Sequence, residues 1–220
     1  MMKVIDYFGP RIAKSKLSVD DTDALFEICK SSTVPANKDL VGLIREEVSI
    51  VDALRVSKVY RTILENINQY ANTIDSGSWE NVIKSNDIVN PLELQAAWYN
   101  KQVAMEFNPI HHHASHADLV CVIFPKIDLD KNVDHYYINN TDEKQTGQLN
   151  FVYGEHSKND FGKSCITVQP EEGDMFVFPS TLTHYTTPVL GNSVRYSISC
   201  NFVFSKLAHR LMSTLSKNEN

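Results

Sequence analysis

The run Val194-Arg-Tyr-Ser-Ile-Ser-Cys-Asn-Phe-Val-Phe204 alternates polar and apolar residues along its length. Successive side chains of a strand point to opposite faces, so Arg195, Ser197, Ser199 and Asn201 share one face, and Tyr196, Ile198, Cys200 and Phe202 the other. An arginine is always charged, and inside an apolar barrel it needs a carboxylate partner. Two partners answer that need: an internal Asp or Glu, or the far carboxylate of a bound dicarboxylic acid.

Upstream of this run the chain continues in short β-rich segments bounded by Pro, Gly, Asn and Asp. The candidate strands are 94–103, 107–113, 118–124, 134–139, 147–153, 164–168, 174–178, 183–188 and 194–204. Gly173-Asp174 forms a turn feeding the buried run Met175-Phe-Val-Phe178, and Pro179-Ser180 ends it. Eight or nine short strands after a helical lead predict a jelly roll or a related, cupin-like barrel. The first ninety residues read instead as a helical lead. Ser18 caps a helix with an acidic first turn, followed by Ala24, Leu25, Ile28 and Cys29 at helical spacing. From Ile50 to Ala71, Leu54, Val56, Val59, Tyr60, Ile63, Ile67 and Tyr70 form the apolar stripe of one long amphipathic helix. The stretch 40–47 fits neither pattern, and 205–216 reads as a closing helix capped by Ser205. The fold class is therefore mainly β with helical support, in a single domain: helical lead 1–90, β core 91–204, and a C-terminal helix and tail 205–220.

Composition narrows the partners. With 220 residues, 42% of them hydrophobic, the chain supports one full core and a small helical cap. A net charge of -6 and the absence of a basic cluster argue against nucleic acid. No stretch approaches the ~18 apolar residues of a membrane span, and Met1 to Asp6 starts no apolar leader, which predicts a soluble, cytoplasmic protein. Cys29, Cys121, Cys165 and Cys200 lack paired spacing and read as small buried hydrophobes.

The chemistry concentrates in Asn108-Pro-Ile-His-His-His-Ala-Ser-His-Ala-Asp118, which holds four of the eight histidines. On a strand His111 and His113 project together while His112 faces away, so two imidazoles can share a metal ion. His184 is the best third ligand, and three ligands on one face leave coordination positions open.

Together with Trp98-Tyr-Asn100, Phe107-Asn-Pro-Ile-His-His-His113, Glu172-Gly-Asp-Met-Phe-Val-Phe-Pro-Ser180, His184 and Arg195-Tyr-Ser-Ile-Ser-Cys-Asn201, these residues resemble the Fe(II)/2-oxoglutarate-dependent oxygenase superfamily. The likeness is to an uncharacterised bacterial and phage branch related to prolyl hydroxylases. It covers roughly residues 91 to 204 and implies a double-stranded β-helix with Fe(II) at one mouth. It also implies 2-oxoglutarate chelating iron at one end and meeting Arg195 at the other, with Asn100 and Ser199 as further co-substrate contacts. The superfamily pattern is His-x-Asp/Glu with a distal His, whereas this chain has His113 two residues after His111. The resemblance therefore implies iron held by His111, His113 and His184. His116-Ala117-Asp118 is a rival register that restores a carboxylate, and Asp118 with His111 or His113 is a third option.

The implied reaction converts 2-oxoglutarate and dioxygen to succinate and carbon dioxide while hydroxylating a primary substrate, with a peptidyl prolyl residue as the family's model. The catalytic groups are then the metal ligands alone, and the location is the cytoplasm, the host's if the gene is a phage's. Two other readings stand beside it: a cupin-type three-histidine dioxygenase or isomerase without 2-oxoglutarate, and a non-catalytic metal-binding barrel. The polar insertion Lys126 to Gly147 reads as a solvated loop or a lid.

Overall fold

In the computed structural model, residues 9–74, 79, 83, 84, 91–130, 132, 146–154, 163–206 and 208 are described. Among the described residues, ten strands form two antiparallel sheets. The larger sheet contains β1 (Ala13–Lys16), β2 (Val34–Pro35), β3 (Glu46–Ser49), β4 (Leu92–Gln102), β5 (Leu119–Asp128), β8 (Asp174–Pro179) and β10 (Val194–Phe204), in the order β1-β8-β5-β10-β4-β3-β2. The smaller contains β6 (Leu149–Val152), β7 (Cys165–Val168) and β9 (Thr183–Thr186), in the order β7-β6-β9. This is the expected double-stranded β-helix.

The alternation along β10 sorts the residues as expected. Its apolar side, Ile198, Cys200 and Phe202, lies in one core with Tyr99, Cys121, Ile123 and Val177 of neighbouring strands and with the helices. A second core lies between the two sheets, where Val120, Val122, Phe124, Phe176 and Phe178 meet Leu149, Phe151 and Leu182. Burying each of these phenylalanines contributes roughly 1.5–3 kcal/mol, so the sheets close firmly against each other.

Helix α1 (Val19–Ser31) begins at Ser18, whose hydroxyl accepts from Asp21 N at 3.1 Å, and it buries Leu25 and Cys29. The helix expected from Ile50 to Ala71 is broken into α2 (Val51–Arg55) and α3 (Val59–Ile74). Ser57 is the cause: its hydroxyl accepts from Tyr60 N at 3.3 Å, an N-cap interaction that starts a new helix. Val56, counted in the apolar stripe, falls in the break and is 87% exposed. α3 then buries Val59, Ile63, Ile67 and Tyr70 against the sheet.

Other expectations need correction. The segment 107–113 is no strand: its pairing is confined to the single bridges Leu43↔Phe107 and His111↔His184. The open stretch 40–47 ends in β3, and β1 went unread because its alternating Ala13-Lys-Ser-Lys16 has no large apolar residue. Cys165 is exposed on β7 rather than buried; all four cysteines are free. The candidate strand 134–139, most of the insertion 126–147 and most of the closing helix 205–216 lie outside the described residues. No described helix is long and apolar enough to cross a membrane.

Candidate metal centre

His111 and His184 bond to each other through the backbone in both directions, His111 N to His184 O at 3.0 Å and His184 N to His111 O at 2.9 Å. This bridge ties the loop after Pro109 to β9. His113 N donates to Ser180 O at 2.8 Å and fixes the next turn of the same loop. The three rings are thereby gathered, with centroids 4.4 Å apart for His111 and His184 and 5.2 Å apart for each of the other two pairs. One ring nitrogen from each lies within 4.8 Å of the others.

The hydrogen bonds of the rings settle which nitrogens those are. His111 Nδ1 lies 2.6 Å from Pro109 O, His113 Nδ1 2.8 Å from Asn201 Oδ1, and His184 Nδ1 2.9 Å from Leu182 O. Each partner is an oxygen acceptor, so each Nδ1 carries the proton and each Nε2 presents a lone pair. Burial drives His184 down to about 3 and His113 down to about 4, and lowers His111 as well, the neighbouring imidazoles adding to the effect for His113 and His184. At neutral pH the cluster is three uncharged nitrogen donors. Trp98 stacks on His113 at 5.8 Å, and Phe178 meets His184 edge-on at 4.9 Å, so two of the three rings lie against aromatic walls. This donor set fits a divalent first-row metal with positions left open.

The rival ligands are turned elsewhere. Asp118 Oδ2 accepts from Phe204 N at 2.8 Å, its N donates to Phe202 O at 2.8 Å, and its O accepts from Ser180 N at 3.0 Å. The carboxylate thus closes the end of β10, outside the histidine cluster. His116 and His112 are exposed.

Arg195 is wholly buried. One terminal nitrogen donates to Gly147 O and the other to Gln102 Oε1, while Nε has no partner. The Phe124 ring lies 5.3 Å from the guanidinium carbon. No carboxylate pairs with it among the described residues, and burial lowers it to about 9. Gln102 in turn donates to Thr186 Oγ1 and Glu106 O, both at 3.2 Å, and thereby connects Arg195 to the strand of His184. Reading the sequence missed Gln102, whose only signal was its inward parity with Asn100 on β4. Asn100 lies cross-strand from Ser197, and Ser199 cross-strand from Trp98, so both are on the inner face between the histidines and Arg195. Neither bonds to Arg195. Asn201, on the same face of β10 as Arg195, orients His113.

Residues 96–201 match the family described as "Putative 2OG-Fe(II) oxygenase". No curated protein matches the chain. Several solved structures share its fold. A prolyl-4-hydroxylase of Pseudomonas putida is 15% identical, with 87% of this chain and 91% of that one covered and a TM-score of 0.53. The non-heme alpha ketoglutarate-dependent epimerase SnoN of nogalamycin biosynthesis is 14% identical, with 87% and 76% covered and a TM-score of 0.53. HygX of Streptomyces hygroscopicus, solved with nickel and 2-oxoglutarate bound, is 10% identical, with 87% and 82% covered and a TM-score of 0.52. The matched region, just under half of the chain, holds all three histidines and Arg195 and is similar to the Fe(II)/2-oxoglutarate-dependent oxygenases.

Proposed function

We propose that this protein is an Fe(II)/2-oxoglutarate-dependent oxygenase that hydroxylates an aliphatic C–H bond of its primary substrate, with a peptidyl residue such as proline as the first class to test. His111, His113 and His184 hold Fe(II), Arg195 binds the distal carboxylate of 2-oxoglutarate, and Asn100 and Ser199 line the slot between them. The observation that carries the reading is the buried Arg195 guanidinium, which has two neutral oxygens and an unpartnered Nε but no carboxylate among the described residues. A buried charge in that condition calls for an anion. The prolyl assignment leans on the hydroxylase among the structural neighbours; the epimerase beside it shows that one fold supports different outcomes.

When bound, iron with 2-oxoglutarate and dioxygen supplies the oxidation, and 2-oxoglutarate leaves as succinate and carbon dioxide. The protein orients and shields. Pro109 O, Leu182 O and Asn201 hold the imidazoles in one tautomer, Arg195 sets the direction of the co-substrate, and Trp98 and Phe178 keep water from the buried rings. Three neutral ligands leave the metal its full double charge, which dianionic 2-oxoglutarate balances. Iron affinity therefore depends strongly on the co-substrate.

The test is anaerobic titration of Fe(II) and 2-oxoglutarate, followed by the metal-to-ligand charge-transfer band, and then succinate formation in air. The band is expected in wild type and in Asp118→Ala, and is expected to be lost in His113→Ala. Absence of the band in wild type would favour a cupin-type site or a structural metal barrel instead.

A further inference from the structure

A second polar group on the inner face has no role in the site described so far. Glu47 of β3 is 2% exposed and lies cross-strand from Asn100, itself 1% exposed, which lies cross-strand from Ser197. Cross-strand partners stand side by side, so Glu47, Asn100 and Ser197 form a transverse row. That row lies between Trp98, which stacks on His113, and Gln102, which bonds Arg195.

Glu47 is poorly satisfied for a buried carboxyl group. Its Oε2 receives one long bond, 3.4 Å from Asn37 Nδ2, an amide that also serves Ile44 O and Arg45 O. Its Oε1 is buried with no partner, and so is Asn100 Oδ1. The neighbouring Glu106 accepts from Arg45 N and Val103 N and pairs with the exposed Arg45 guanidinium at 3.5 Å, so that cation is engaged elsewhere. No cation pairs with Glu47 among the described residues. Burial, with Glu106 adding to it, raises Glu47 to about 7.

Gly42 packs closely against this carboxylate. A Cβ at Gly42 would collide with Glu47 Oε1 and stand 2.7 Å from Asn108 Oδ1, so two acceptor oxygens face the one backbone position without a side chain. Val41 and Leu43 flank that glycine and are 54% and 60% exposed, and Met105 in the adjoining loop is 66% exposed. Leu43 N bonds Phe107 O at 2.9 Å, joining the two loops into one rim. Asn108 lies three residues before His111, which places the rim near the histidine cluster.

We propose that Glu47, with Asn100 and Asn108 beside it, forms a subsite for a cationic nitrogen on an aliphatic stem, belonging to the primary substrate. The nitrogen supplies the donors that the unpartnered oxygens lack, and the apolar rim receives the methylenes. The assignment to a substrate rests on reading the adjacent histidines as an oxygenase centre. The same chemistry is offered by a free alkylamine and by the side chain of a peptidyl lysine.

The full-length protein would be titrated calorimetrically with n-butylammonium chloride and with Nα-acetyl-lysine methylamide, using n-butanol and potassium chloride as controls. Wild type is expected to bind at least one of the two cations, and Glu47→Gln and Gly42→Ala each to weaken that binding by about tenfold or more. Tighter binding of the lysine derivative assigns a peptidyl substrate, and tighter binding of butylammonium a free amine. Equal binding by wild type and Glu47→Gln, or n-butanol or potassium binding as well as the amines, would overturn the subsite. The charge-transfer titration on the same preparation separates the two proposals. Amine binding without the band removes only the oxygenase reading, and the band without amine binding removes only the subsite.

Discussion

His113 Nδ1 lies 2.8 Å from Asn201 Oδ1, so a residue on β10 fixes the tautomer of an imidazole in the loop before β5. The bond commits Nδ1 to structure and leaves Nε2 with a free lone pair for the proposed metal. Asn201→Ala should therefore lower Fe(II) affinity roughly 10- to 100-fold, the usual loss when the hydrogen bond that orients a ligating imidazole is removed. Anaerobic metal titration checks this, and an unchanged affinity would mean that His113 is held without Asn201.

Asp118 makes the opposite prediction. Because its Oδ2 accepts from Phe204 N at the end of β10, Asp118→Ala should cost about 1–3 kcal/mol of stability. Iron affinity should stay within about twofold, less than 1 kcal/mol. Urea unfolding and metal titration of one preparation separate the effects. A collapse of metal binding in a protein that unfolds normally would restore the His-x-Asp register.

The lowered imidazole pKa values make the metal-free protein acid-sensitive. His113 at about 4 and His184 at about 3 bind fewer protons when folded than when unfolded, where their value is 6.5. Stability is thus fully present above pH 6.5 and falls as the pH drops from there towards 4, by up to about 1.4 kcal/mol per pH unit for each histidine. Melting temperatures of the metal-free chain across this range should fall on the acid side. A flat profile would show that the rings are hydrated and not buried.

Gln102→Glu should weaken 2-oxoglutarate binding by roughly 10- to 100-fold, because the new carboxylate pairs with Arg195 internally and a ligand must displace it. Gln102→Leu removes that acceptor without adding charge and should weaken binding less. Comparing the two dissociation constants is decisive: if the leucine variant is the worse, Gln102 orients Arg195 and the internal pair does not form.

Much of the fold was legible because one periodicity dominated each segment. β10 runs from Val194 to Phe204, as its alternation indicates, since one side meets the helices and the other the barrel interior. The break between α2 and α3 was harder to see, because Val56 fits the apolar stripe and a single serine hydroxyl outweighs it. The segment 107–113 has strand-like residues but finds pairing partners only at Phe107 and His111, so it remains a loop. Similarly, β3 became a strand through the partners it meets in β4, from Glu46↔Lys101 to Ser49↔Trp98.

By itself the sequence determined the two faces of β10, the buried stripe of α3, and the presence of histidines and a lone arginine where a barrel could use them. These are local properties, set by side-chain period and residue type. Only the tertiary structure decided that His184 joins His111 and His113 while Asp118 does not, that Gln102 receives Arg195, and that Glu47 Oε1 and Asn100 Oδ1 are left without donors. Each of those outcomes depends on which backbone and side-chain groups distant segments bring into hydrogen-bonding range. Strand register sets that range, and register is a property of the packed sheet as a whole.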